Sequence, residues 1–121
     1  MVVQLALSDD EVDRLFRALA DATRRDIVRR TLAEPASVSA LAASYDMSFA
    51  AVQKHVAVLE VAGLVTKEAH GRERLVRGNQ EMIGRAQALL DSYEQIWRCR
   101  IDRLDALLAE SDPSAAGTFA D

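Results

Sequence analysis

A mainly α-helical domain with one small β-hairpin is the fold class this sequence predicts. Three observations predict it. Half of the 121 residues are hydrophobic and few are aromatic; leucine, valine and alanine dominate, a mix that suits helices packed on helices. Five glycines and two prolines are too few for a turn-rich all-β protein. Apolar residues recur at spacings of three and four through most of the chain, and strand-like alternation shows only around His70-Gly71. The length favours one compact domain, expected at residues 1–110. The segment "SDPSAAGTFAD", 111–121, is expected to be a flexible tail.

The elements follow in order. From Asp9, the residues Val12, Leu15, Phe16 and Leu19 form one apolar stripe, and Asp9, Asp10 and Glu11 suit the positive end of that first helix. In "LADATRRDIVRRTLAEP", Asp21 or Thr23 can cap a second helix whose Ile27, Val28 and Leu32 face inward. Arg24, Arg25, Arg29 and Arg30 take its other faces, and Arg29 and Arg30 can pair with Asp26 or Glu34. Pro35 stops it. In "ASVSALAASYDMS", Ser37 or Ser39 caps a short third helix with Leu41, Ala42 and Tyr45 toward the core.

The stretch "MSFAAVQKHVAVLEVAGLV" is a fourth helix. Ser48 is its N-cap, because a serine hydroxyl accepts the unpaired amide N–H groups of a first turn. Val52, Val56 and Leu59 step along one face, and Gly63 supplies the left-handed residue that closes the helix. The two helices joined by "YDMS" make a helix-turn-helix. Strand-like runs at 64–69 and 74–78 then flank His70-Gly71-Arg72-Glu73 as a hairpin, placed as a wing after the fourth helix. Asn79 caps a last helix reaching about Glu110, with Ile83, Ala86, Leu90, Tyr93, Trp97, Leu104 and Leu107 in its stripe. Leu89, Ile96, Ile101 and Leu108 broaden that stripe. At about 1.5 Å per residue this helix runs roughly 45 Å, more than a domain of this size covers alone, so a second copy is expected on it.

Charge and cysteine content bound the function. Net charge is −4, but the acids gather at the ends. Residues 1–13 hold four acids and no base, residues 14–78 hold eleven Lys/Arg against seven Asp/Glu, and residues 79–121 hold four against eight. A locally positive middle is compatible with DNA. Cys99 is the only cysteine, so no intramolecular disulfide forms, and a reduced, cytoplasmic setting is expected. Residues 1–11 lack the pattern of a signal peptide, and no run approaches a membrane span. No nucleophile–base pair or glycine-rich phosphate loop suggests an enzyme.

The segments "LFRALADATRRDIVRRTL", "SVSALAASYDMSFAAVQKHVAVLEVAGLV" and "GRERLVR" resemble the ArsR family of bacterial winged-helix repressors. "SYEQIWRCRIDRLDALL" is similar to the branch whose last helix carries a tryptophan and an "RLDRL"-like run. The resemblance implies a homodimer joined through the first and last helices, with Leu15, Leu90, Tyr93, Trp97 and Leu104 at its interface. It implies that the fourth helix enters the major groove of double-stranded DNA, that the wings reach the flanking minor groove or backbone, and that the protein represses an operon, often including its own gene. Founding members sense metals through a cysteine pair on the third helix. Here that segment is "SVSALAAS", with no ligand, and the last helix has no histidine. The whole chain offers two histidines and one cysteine as nitrogen or sulfur donors. No metal and no cofactor are expected.

The residues expected at DNA then separate by chemistry. Gln53 can pair with adenine and Lys54 can donate to guanine; the bland alternative is a solvated polar face. Ser48 caps and reaches a phosphate through the helix N-terminus. Phe49 meets a thymine methyl or a neighbouring helix, and Ala50 lies beside it. His55 shares the side of Val52 and Leu59 and is expected to pack or to meet a phosphate. His70, Arg72 and Arg74 in the wing, and Arg24 and Arg25 on the second helix, are phosphate candidates. Two other functions are compatible with the same residues. One is a ligand- or redox-responsive regulator, with Tyr93 and Trp97 walling an interfacial pocket or with Cys99 as the sensor between Arg98 and Arg100. The other is a dimeric protein-interaction module without DNA binding.

Overall fold

The computed structural model describes residues 6–111. Contacts divide the chain into two compact units, with the division between Gln87 and Ala88. The first unit holds α1 (Asp9–Leu19), α2 (Ala22–Ala33), β1 (Ala36–Ser37), α3 (Val38–Ala42), α4 (Phe49–Val61), β2 (Val65–His70), β3 (Glu73–Gly78) and the start of α5 (Gln80–Ser111). The second unit contains the remainder of α5. The expected tail falls almost wholly on residues 112–121, outside the described residues.

Local chemistry sets the helix ends. Ser8 and Glu11 form a reciprocal capping box at α1: the Ser8 hydroxyl accepts from the Glu11 amide at 3.1 Å, and the Ser8 amide donates to Glu11 Oε1 at 2.9 Å. Asp21 caps α2 and Ser37 caps α3, resolving both alternatives left by the sequence. Ser48 Oγ accepts from the Ala51 amide at 3.1 Å and so starts α4. Gly63, at φ 79°, ends it. The Leu64 amide then donates to Leu59 O at 2.9 Å and the Gly63 amide to Glu60 O at 3.0 Å, a Schellman closure that turns the chain into β2.

The core of the first unit gathers one buried stripe from each helix. Leu15 and Ala18 of α1, Ile27 and Val28 of α2, Leu41 of α3, and Val52, Val56 and Leu59 of α4 meet Leu64, Val65, Val76 and Ala86. Thr31 is buried among them, its hydroxyl donating to Ile27 O at 2.8 Å. Two expectations change here. Leu15 is fully buried within this core, so it is not available to a dimer interface. Leu32 is 41% exposed rather than inward, because Ile27, Val28 and Thr31 already fill the inner side of α2.

The hairpin pairs β2 with β3 from Val65↔Gly78 to His70↔Glu73, leaving Gly71-Arg72 as a two-residue turn. Gly71 takes φ 65° there, the left-handed conformation such turns require. A third strand was not expected. Ala36 and Ser37 pair antiparallel with Val76 and Leu75, giving the order β1-β3-β2. Two residues are too few to leave an alternation in sequence.

Candidate nucleic-acid interface

The outward face of α4 follows from its inward one. With Val52, Val56 and Leu59 buried, the 100° step of a helix puts Ala50, Gln53, Lys54 and Ala57 on the opposite side. All four are exposed. Phe49, in the first turn, is 47% exposed and therefore does not serve the core. Ser48 is exposed at the N-terminus, where its hydroxyl is committed to the cap.

A second cationic element stands at the wing. His70, Arg72 and Arg74 are exposed at or beside the turn. Glu73 is the only acid between residues 70 and 74. Arg72 and Arg74 make no ion pair among the described residues, whereas cations nearer the wing base do. Arg77 Nε lies 2.8 Å from Glu68 Oε1 and Lys67 Nζ lies 3.7 Å from Glu60 Oε1. The latter pair links β2 to α4. The tip therefore keeps its positive charge, and the base spends its charge on holding the wing.

The turn between α3 and α4 is tied to α2. The Tyr45 hydroxyl donates to Asp26 Oδ2 at 2.5 Å, and Arg29 Nη2 donates to Asp26 Oδ1 at 2.5 Å. Tyr45 hydrogen bonding first, and Arg29 second, hold the Asp26 carboxyl below its usual range. Burial first, and the Asp26 bond second, push the Tyr45 hydroxyl above its own. The Arg30 guanidinium lies 5.4 Å above the Tyr45 ring and donates to Ser44 Oγ at 2.9 Å. At the other end, Asn79 accepts from the Glu81 and Met82 amides, capping α5 as expected. Its Nδ2 also donates to Gly63 O at 2.8 Å. Neither the Tyr45–Asp26 bond nor the Asn79–Gly63 bond was evident from sequence. A tyrosine on a core face and an acid on the neighbouring helix were the only signals.

Two of the expected phosphate candidates have other partners. Arg24 donates from Nε to Ala18 O at 2.7 Å and from Nη2 to Arg17 O at 3.0 Å, and its Nη1 lies 3.3 Å from His55 Nδ1. All three nitrogens are engaged inside the unit, which leaves two of the five guanidinium N–H groups for other acceptors. Arg25 Nη1 donates to Leu19 O at 2.7 Å, although the side chain stays exposed. Both arginines thus satisfy carbonyls at the end of α1, where a helix has unpaired acceptors and favours positive charge. His55 is half-buried against Arg24, on the packing side of its two expected roles.

A short third helix, a six-residue turn, an exposed polar face on the next helix and a cationic hairpin together define a winged helix-turn-helix DNA-binding protein. A family model for a helix-turn-helix domain matches residues 19–68. The HTH-type transcriptional regulator Rv2034 of Mycobacterium tuberculosis is 36% identical over 81 residues, covering 67% of this chain and 76% of that protein. The crystal structure of an ArsR family transcriptional regulator is similar at a TM-score of 0.71 and 32% identity, over 77% of this chain and 96% of that one. A homodimeric winged helix-turn-helix DNA-binding domain from Mycobacterium bovis, described as a possible ArsR-family regulator, is similar at 0.59 and 25%, over 74% and 89%. The chain belongs to the ArsR family of winged helix-turn-helix transcriptional regulators. It is a DNA-binding regulator and not an enzyme.

Proposed function

We propose that the protein is a cytoplasmic, dimeric repressor that binds a palindromic operator and responds to no metal. The observation that carries this reading is the outward face of α4, with Ala50, Gln53 and Lys54 exposed beside an unneutralised wing tip. Gln53 and Lys54 read base edges, Phe49 offers an apolar contact to a thymine methyl, and Ser48, His70, Arg72 and Arg74 lie against the backbone. Arg25 adds a phosphate contact through the guanidinium nitrogens it does not use at α1.

Dimerisation is supported by the second unit. Leu90, Tyr93, Trp97 and Leu104 are each about half exposed or more on α5, an apolar stripe that a second copy would cover. The M. bovis relative is described as homodimeric. Independence from metal is supported by the donor set. The whole sequence offers two histidines and one cysteine as nitrogen or sulfur donors, and His55 Nδ1 faces a guanidinium cation.

The test starts from a duplex selected by the wild-type protein from a random-sequence pool, followed by footprinting. One dimer should bind one palindrome, with affinity falling steeply as salt rises because bound phosphates release counterions. Added zinc, copper or arsenite should not release it. The Gln53→Ala, Lys54→Ala double variant should lose specific binding while remaining dimeric. Unchanged affinity for the selected duplex would remove α4 from the recognition surface.

A further inference from the structure

Arg24 sits at a junction of three helices. It lies in the first turn of α2, and its own amide donates to the capping carboxylate of Asp21 at 3.0 Å. Its guanidinium reaches the last carbonyls of α1 through Nε and Nη2, and His55 of α4 through Nη1. A guanidinium has donors only and stays protonated. The imidazole nitrogen facing it, Nδ1, must therefore carry a lone pair, which leaves the ring proton on Nε2. His55 lies directly after Gln53 and Lys54 in the sequence, on the flank of α4 between its buried and outward faces. A hydrogen bond on that flank resists rotation of the helix about its own axis. The buried contacts there are Val52, Val56 and Leu59, smooth apolar groups that hold the helix down and set its rotation only through packing.

We propose that Arg24, on the DNA-facing assignment of α4 made above, is a positioning residue for DNA recognition. Its fork couples the C-terminus of α1 to His55 and so fixes the angle at which Gln53 and Lys54 are presented. The planar geometry of arginine is what allows one side chain to hold two carbonyls and a ring nitrogen at once. Lysine keeps the charge but cannot reproduce the fork. The Arg24 amide, donating to the cap, holds the Asp21 carboxyl below its usual range.

The experiment uses the full chain, the selected duplex, and an unrelated duplex of equal length. Arg24→Lys should weaken binding to the selected duplex about tenfold, as expected for one misaligned base-reading contact. It should change binding to the unrelated duplex by less than about twofold, and it should leave the salt slope unaltered, because no phosphate contact is lost. Wild-type affinity in Arg24→Lys would overturn the proposal. So would Arg24→Gln lowering the salt slope by about one, the signature of a phosphate contact.

Two further readouts separate positioning from general loss of structure. Nitrogen-15 NMR of the DNA-free protein should show His55 with its proton on Nε2, and that preference should fade in Arg24→Lys; a proton on Nδ1 in the wild type would refute the coupling. His55→Asn keeps an acceptor on the Nδ1 side and should hold affinity within about twofold, whereas His55→Leu should fall as Arg24→Lys does. Equal behaviour of the two His55 variants counts against the tether even if Arg24 variants fold poorly. If the Gln53→Ala, Lys54→Ala variant still binds the selected duplex normally, the assignment of α4 fails, and this result is distinct from any obtained with Arg24.

Discussion

Tyr45 and Asp26 show how one side-chain pair holds the helix-turn-helix angle. The bond runs from the turn before α4 to the first turns of α2. Because the Asp26 carboxyl is held low in the folded state, the unfolded chain binds the proton more readily. This pair therefore adds stability above the usual aspartate range, near pH 3.9, and that stability is lost as pH falls through the lower folded value. Tyr45→Phe removes the largest cause of the shift. It should lower stability at neutral pH and should lose less on acidification than the wild type does. Urea unfolding between about pH 6 and about pH 2.5 measures this, and parallel profiles for the two proteins would count against it. At this scale the sequence revealed the outward residues well. Gln53 and Lys54 are exposed because helix periodicity alone sets them opposite Val52 and Val56. It could not reveal Arg24 on His55, since a contact across 31 positions has no periodic trace.

The elements themselves were largely legible, because each is bounded by a residue with a local chemical reason to be there. Ser48 accepts an amide, Gly63 takes φ 79°, Gly71 takes φ 65° and Asn79 caps α5. The exceptions come from packing between elements. Strand β1 exists because Ala36 and Ser37 happen to leave α2 alongside Val76 and Leu75. Leu32 turns outward toward Gly78, the last residue of β3. A methyl group at Gly78 would lie 2.7 Å from Leu32 Cγ and 2.8 Å from its backbone nitrogen. Side-chain movement alone cannot relieve the second contact. Gly78→Ala should thus destabilise the first unit by about 1–3 kcal/mol, the usual range for overpacking. On a domain this size that lowers Tm by roughly 4 °C or more, readable by thermal melting. An unchanged Tm would show that α2 and β3 can part at no cost.

For the whole molecule, the proposed dimer places its weight on α5. Trp97 is 56% exposed, with the Arg100 guanidinium 5.8 Å from its ring. Its removal therefore leaves no cavity within a protomer. Trp97→Ala should leave the first unit folded while weakening self-association by about 2 kcal/mol or more, the scale of an aromatic hot spot. Analytical ultracentrifugation across protein concentration would read this as at least a roughly thirtyfold rise in dimer Kd. A variant that stays fully dimeric at low concentration would exclude Trp97 from the interface. Leu15, expected to share that interface, is held in the core instead, because the α1 stripe is narrow and its centre serves the protomer first.

The helices, the turn between α3 and α4, the wing and the outward face of α4 are all written in local sequence. Those depend on caps, glycines and a 3.6-residue period, all of which act within a few positions along the chain. Which polar groups meet across elements depends on the packing of the folded chain. Arg24 joins α1 to His55, Tyr45 joins the turn to Asp26, and Asn79 joins the end of α4 to the start of α5. The physical reason is that hydrogen bonds between elements depend on distances of about 3 Å. Such distances are set by how the helices pack together, and no single segment carries that information.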